Sequence, residues 1–305
     1  MKRIWFIILI MFFCIFLFIK LEPTKYQEIE HKVYNRLIII KYNLYDFFWD
    51  FNRDKDISID NIAKNDIDDK DRVIAHAGGS VDGDIYTDSL EALDSNYKKG
   101  FKLFELDFLK TKDDFFVAVH DWNSWKEHTG YQKELPPTLK EFKKYKIYSK
   151  YTPLDMELIN RWFFYHKDAI LVTDKVNTPF EFSKRFIDKD RVIMELFDWY
   201  AVLEAKKLGI EAMPTGNLVK ELKENIVKKL LDLNINYVAL SRKFIDTDIK
   251  LLQEMRDNNI KIYAFYLNME KGKDEEYVYC NELTYFYGFY ADKWDFNATH
   301  CLKKK

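Results

Sequence analysis

The sequence predicts an α/β protein, a (β/α)8 TIM barrel with a hairpin after strand 2, preceded by an N-terminal membrane anchor and a helical linker. Three observations carry that prediction. From Arg72 onward, short apolar runs alternate with amphipathic stretches at the period of strand–helix units. Eight such units fit into roughly 230 residues, the size of this barrel. One segment alone breaks the alternation, and its spacing requires an antiparallel return.

The first element is the apolar run at residues 4–19, with Lys2 and Arg3 before it and Lys20 after. It is slightly shorter than the about 20 residues of a spanning helix, a gap that flanking lysines can close. No small-x-small cleavage site follows, so residues 1–22 read as an uncleaved transmembrane signal anchor. The basic flank favours a cytoplasmic N-terminus and a periplasmic or otherwise extracytoplasmic body. Residues 23–71 read as a juxtamembrane helix and charged linker. In them Ile29, Val33, Leu37, Ile40, Leu44 and Phe48 recur at helical spacing, and residues 53–71 are rich in Asp and Lys. That helix either lies on the membrane surface or packs on the globular body.

Residues 72–305 form the expected barrel. Strands are predicted near 72–76, 102–108, 169–174, 191–196, 210–213, 236–240, 260–266 and 286–291, with helices between them. Asp88 is placed as the cap of a helix ending at Gly100. Thr152-Pro153 and Thr178-Pro179 read as cap plus first-turn proline. Between the strand at 102–108 and the apolar run at 115–119 there are too few residues for a parallel crossover. The chain must therefore turn at Lys112-Asp113-Asp114 and come back as a hairpin, which returns His120 to the barrel mouth.

Composition narrows the function classes. The 48 basic and 50 acidic residues give a formal net charge of −2, so no global field favours nucleic acid. Of the three cysteines, Cys14 lies in the apolar run. Cys280 and Cys301 flank the last predicted strand, and they can pair in an oxidising compartment or remain free thiols. No cysteine spacing matches a zinc site.

The residues that carry chemistry concentrate in 74–121. Glu105 and Asp107, two apart on a strand, share a face. On barrel topology that face is the interior near the mouth, while Phe104, Leu106 and Phe108 meet the helices. Two converging carboxylates repel each other unless a cation or protons intervene, and such oxygen donors suit Mg2+, Ca2+ or Mn2+. His76 ends the first strand before Gly78-Gly79, glycines that allow close approach of backbone to a ligand. With His120 it makes an acid–base pair. His31, His128, His166 and His300 lack such settings and read as structural or surface residues.

Ile-Ala-His-Ala-Gly-Gly at 74–79, Phe-Glu-Leu-Asp at 104–107 and Val-Ala-Val-His-Asp at 117–121 give the chain from Arg72 to about Asp295 its resemblance to the glycerophosphodiester phosphodiesterase family, within the superfamily of phosphoinositide phospholipase C-like phosphodiesterases. The resemblance implies His76 and His120 as general acid and base, their order left open, and Glu105 and Asp107 as ligands of a divalent metal. It places a third acidic ligand at the strand ending in Leu171-Val172-Thr173-Asp174-Lys175. There the family has Glu-x-Lys, so that alignment on Lys175 would leave Thr173 at the ligand position. Asp174 is taken as the ligand and Lys175 as the phosphate contact. Phe265-Tyr266-Leu267-Asn268 and Ala291-Asp292 echo later family segments. Two departures stand out: Ala77 replaces the family's arginine, and Thr87-Asp88-Ser89 replaces Glu-Asn-Thr.

The resemblance thus implies a divergent, metal-dependent phosphodiester hydrolase acting on a glycerophosphodiester-like lipid head group or an envelope phosphodiester glycan. A degenerate barrel that binds a phosphorylated ligand, and a lyase that stops at a cyclic phosphate, are the alternatives.

Overall fold

The computed structural model describes residues 71–265, 267, 271–298 and 301. The anchor expected in 1–22 and nearly all of 23–71 lie outside the described residues, as do Cys14, His31 and His300. No helix among the described residues is long and apolar enough to cross a membrane.

Eight parallel strands form the barrel: β1 (Val73–Ala75), β2 (Leu103–Lys110), β4 (Ile170–Asp174), β5 (Val192–Leu196), β6 (Glu211–Pro214), β7 (Tyr237–Ser241), β8 (Lys261–Phe265) and β9 (Gly288–Ala291). All eight lie where the sequence places them. Their order is β6-β5-β4-β2-β1-β9-β8-β7, with β3 (Phe116–Ala118) paired to β2 alone. The path closes between β6 and β7 through one parallel bridge, Thr215 to Ala239.

The interior is built in layers. One side chain from each strand forms a buried apolar floor: Ile74, Leu103, Val172, Ile193, Met213, Ala239, Tyr263 and Tyr290. The strands' outward faces meet the helices. The Phe104 ring packs edge-on against Trp162 with centroids 5.0 Å apart, and Phe108 meets Phe182 at 4.8 Å. The alternation across β2 is the one expected, aromatics out and carboxylates in.

The hairpin is also present. β2 and β3 pair antiparallel, with Phe108 opposite Ala118 and Lys110 opposite Phe116. Beyond β3 the Val119 N–H donates to the Asp107 carbonyl at 2.8 Å, which delivers His120 to the mouth. Val117, Val119, Trp125, Tyr131 and Phe142 make a second small core that anchors this excursion.

Two helix starts differ from expectation. Helix α1 (Leu90–Lys99) is capped by Ser89, whose hydroxyl accepts the Ala92 N–H at 3.2 Å. Asp88 instead turns inward at φ 45° and accepts the Asp107 N–H at 3.3 Å. Thr152-Pro153 starts no helix. Glu91 captures the Thr152 N–H and hydroxyl at 2.7 and 2.8 Å, and the next long helix (Met156–Tyr165) is capped by Asp155. Thr178-Pro179 does open a helix, Pro179–Ser183, with proline in its first turn.

Gly79 shows why the turn after β1 has no side chain. Its φ is +82°, and a Cβ there would lie 2.6 Å from the Asn96 amide nitrogen of α1. Asn96 Nδ2 donates to the carbonyls of Gly78 and Ser80 at 2.9 and 3.0 Å, pinning the turn to the helix. The glycines thus admit helix α1, where the sequence suggested a ligand. Gly79→Ala should cost about 1–3 kcal/mol of stability, read from urea unfolding of the full chain.

Candidate active site

Two residues beyond each floor position, the strands present His76, Glu105, Asp174, Glu195, Thr215, Ser241, Phe265 and Asp292. All of them line one cavity of about 820 Å³ at the C-terminal end of the barrel. Period-two alternation makes this layer the next step up from the apolar floor. Here the interior changes from apolar to ionisable, and in this fold chemistry sits at that end.

Glu105, Asp107 and Asp174 converge. Each offers one oxygen, and these atoms lie within 4.8 Å of one another. The β2–β4 register pairs Asp107 directly with Asp174, and Asp174 shares the inward face of Val172. Thr173, fully buried, is on the opposite face. The strand therefore aims Asp174, not Thr173, at the two other acids without a bulge. Lys175 follows at φ 64°, its ammonium 3.8 Å from Asp107 Oδ1.

The electrostatics of this cluster suit a cation. Glu105 Oε1 and both Asp107 carboxylate oxygens are buried without a hydrogen-bond partner. Such orphaned acceptors are costly unless something positive meets them. Burial, then the neighbouring Asp107, pushes the Glu105 carboxyl well up. Burial and Asp174 raise Asp107 to about 6, with His120 and Lys175 opposing. Burial and Asp107 likewise raise Asp88. All the donors are carboxylate oxygens, the set that hard divalent cations prefer.

The sign of the resulting pH dependence follows from Asp107. Its folded value lies above the ordinary carboxylate value. In the metal-free protein its protonated form therefore adds stability at low pH, and that stability is lost as pH rises from about 4 through 6. A divalent cation removes the penalty. Mg2+, Ca2+ or Mn2+ should accordingly raise the melting temperature more at pH 8 than at pH 5, measured by thermal unfolding with and without EDTA. An equal shift at both values would detach Asp107 from the cation.

Two histidines flank the acids, each beside a carboxylate. His76 Nδ1 lies 3.0 Å from Asp292 Oδ1. The Tyr86 ring meets that imidazole edge-on at 4.8 Å, and its hydroxyl donates to Asp292 Oδ2 at 3.3 Å. The backbone N–H of Asp292 is in turn held by Glu275 on the helix Glu275–Asn281. His120 Nδ1 lies 3.0 Å from Asp121 Oδ2, and Asp121 also caps the helix Trp122–Thr129 through the Ser124 N–H. That capping and the hydrogen bond to His120 hold the Asp121 carboxyl well below its ordinary range, against the effect of burial. With Nδ1 engaged in each case, Nε2 is left for a reactant.

Several contributors escaped the sequence reading. Asp292 was visible only as an echo and Asp121 only as the residue after His120. Glu195 and Tyr290 went unnoticed. The Tyr290 hydroxyl donates to Glu195 Oε2 at 2.7 Å, and burial raises that carboxyl well above its usual value. The inward position of Glu195, two beyond Ile193, was the available signal. His128, read as structural or surface, lines the cavity with Nε2 3.0 Å from the Tyr148 hydroxyl. His166 stacks on Trp162 at 4.0 Å, away from the cavity. Ala77 holds φ 47°, ψ 40° and donates its N–H to Glu105 Oε2 at 2.7 Å, so the backbone at this departure supports a carboxylate of the cluster.

No protein-family model and no curated protein matches the chain. Solved structures do. A glycerophosphodiester phosphodiesterase from Parabacteroides distasonis aligns with a TM-score of 0.56 at 16% identity, over 72% of this chain and 92% of that one. A phosphodiesterase from Oleispira antarctica, in complex with the product sn-glycerol-3-phosphate, aligns with a TM-score of 0.56 at 18% identity, over 72% and 92%. A glycerophosphodiester phosphodiesterase from Thermotoga maritima gives 0.52 at 20% identity, over 72% and 93%. At these identities the likeness is one of fold, and on it the chain carries the barrel of the glycerophosphodiester phosphodiesterases.

Proposed function

We propose that this chain is a metal-dependent phosphodiester hydrolase that works by histidine acid–base catalysis. The observation that carries the reading is the triad Glu105, Asp107 and Asp174, with buried oxygens that accept no hydrogen bond, set between two imidazoles that each have a carboxylate on Nδ1. A divalent cation held by the triad would supply positive charge to a phosphate's non-bridging oxygens. One imidazole takes the proton from a neighbouring hydroxyl of the substrate as that oxygen attacks phosphorus. The other gives a proton to the departing alcohol oxygen. Water then opens the resulting cyclic phosphate with the two roles exchanged. Asp292 and Asp121 hold Nδ1 of the two rings and so fix their orientation. Lys175, beside Asp107, is the proposed phosphate contact.

The product bound to the Oleispira antarctica phosphodiesterase supports a glycerophosphodiester-like substrate. We place the body outside the cytoplasm, tethered by residues 4–19, with a lipid head group or envelope phosphodiester as its partner. The disulfide between Cys280 and Cys301, with Cα atoms 5.3 Å apart, supports an oxidising compartment.

Ala77 favours a second reading, a barrel that binds a phosphorylated ligand without cleaving it, because a side chain without charge replaces a phosphate-binding arginine. Thr173 gives that reading no support, since Asp174 is the inward residue. One assay separates the two. The full chain in detergent is incubated with glycerophosphodiesters and Mg2+, Ca2+, Mn2+ or EDTA, and alcohol release is followed. Metal-dependent release with an open-chain phosphomonoester as the other product establishes the hydrolase. A product that remains cyclic identifies a lyase. Silence on every diester and metal by a folded protein supports the binding barrel.

A further inference from the structure

The cavity's charge is lopsided. Among the described residues lining it, six carry carboxyl groups, namely Asp88, Glu105, Asp121, Asp174, Glu195 and Asp292, and none is lysine or arginine. The nearby Lys175 ammonium, 3.8 Å from Asp107, is the contact already proposed for the first phosphate. Ala77 brings no cation. One phosphodiester charge can be met by a cation on the triad, by Lys175 and by the two histidines. A second anionic group would meet no lysine or arginine on the cavity wall. Beside the carboxylates of the same cavity it would meet like charge, which disfavours binding.

The rest of the wall has a different chemistry. From β5 to β8 it presents the ring of Phe197, 44% exposed, followed by Thr215, Asn217 and Ser241. A flat aromatic face beside neutral hydroxyl and amide groups suits a ring that is apolar on its face and hydroxylated at its edge. The acidic side adds acceptors for the hydroxyls.

We propose that the site selects diesters in which a single phosphate is joined to an uncharged cyclic polyol or sugar, and rejects those in which that alcohol carries a second phosphate. The polyol stacks on Phe197 and donates its hydroxyls to the neutral wall and to the carboxylates. This rests on the hydrolase reading above and names its substrate class.

The test compares glycerophosphoinositol, glycerophosphoinositol 4-phosphate and glycerophosphocholine on the full chain in detergent with Mg2+. We expect kcat/KM to be highest for glycerophosphoinositol and at least about 100-fold lower for its 4-phosphate. Asn217 is an exposed lining residue at the start of the helix Gly216–Glu221. Asn217→Lys should recover at least about 10-fold on the 4-phosphate by supplying the missing cation. Phe197→Ala should raise KM for glycerophosphoinositol more than for glycerophosphocholine. Comparable turnover of the 4-phosphate overturns the proposal, as does a preference for glycerophosphocholine. Calorimetric binding of inositol 1-phosphate against inositol 1,4-bisphosphate gives a readout independent of turnover. If no diester is cleaved, the hydrolase reading fails. The binding ratio still decides the charge preference, and equal affinity for the two inositol phosphates overturns it.

Discussion

His76→Ala should lower turnover of any diester substrate at least about 100-fold, the least that a positioned acid or base contributes. The expectation rests on how firmly the structure holds the imidazole. Asp292 takes Nδ1, Tyr86 meets one edge of the ring, and Tyr290 lies 5.8 Å away on another side. Such a ring has one orientation, with Nδ1 on Asp292. Alanine there leaves Asp292 hydrogen-bonded to Tyr86 and to backbone, so the fold should survive and thermal unfolding should stay close to wild type. Asp292→Asn should give a smaller loss, because the ring keeps a hydrogen-bond partner on Nδ1 and loses only the negative charge beside it. Near-wild-type turnover by His76→Ala would remove this residue from the mechanism.

Glu105→Gln should act in two directions at once. The carboxylate is buried, its Oε1 is orphaned, and its neighbours are acids. Neutralising it relieves that repulsion, so the metal-free protein should gain stability, on the order of 1 kcal/mol or more at neutral pH. The amide oxygen can still accept the Ala77 N–H, so the turn after β1 is kept. The cation, however, loses a ligand. The metal-induced rise in melting temperature should fall sharply, and turnover should drop at least about 100-fold, the equivalent of the several kcal/mol that a bound cation provides. A variant that gains stability and keeps its full metal response would show that the triad is no cation site.

Much of this was legible in the chain itself. The barrel followed from apolar alternation, and the hairpin from one crossover too short to be parallel. Glu105 and Asp107 followed from period two on a strand whose aromatics needed the other face. What eluded sequence were facts of register and closure. Whether Thr173 or Asp174 faces the cavity depends on the pairing of β2 with β4, which spacing alone does not fix. Asp292 reaches His76 only because β9 closes against β1, Ala75 beside Ala291, across more than two hundred residues of chain. The helix starts at Asp88 and Thr152 were misplaced because tertiary hydrogen bonds to Asp107 and Glu91 outcompeted local capping. Once the floor residues are known, His76, Glu105, Asp174, Glu195 and Asp292 can be read by adding two to each, whereas Asp107 lies one step further along β2 and His120 comes from the hairpin.

The closure of the barrel is uneven. Every other neighbouring pair of barrel strands shares a ladder of at least two residue pairs, whereas β6 and β7 meet at Thr215 and Ala239 alone. Opening that junction breaks little hydrogen bonding, so it defines the softest line of the cylinder. It runs between Asn217 and Ser241, on the neutral side of the cavity and away from the acid triad. Backbone amides there should exchange with solvent by local breathing well before those of β2 and β4. The barrel should therefore widen on its neutral side before the carboxylates and imidazoles lose their spacing.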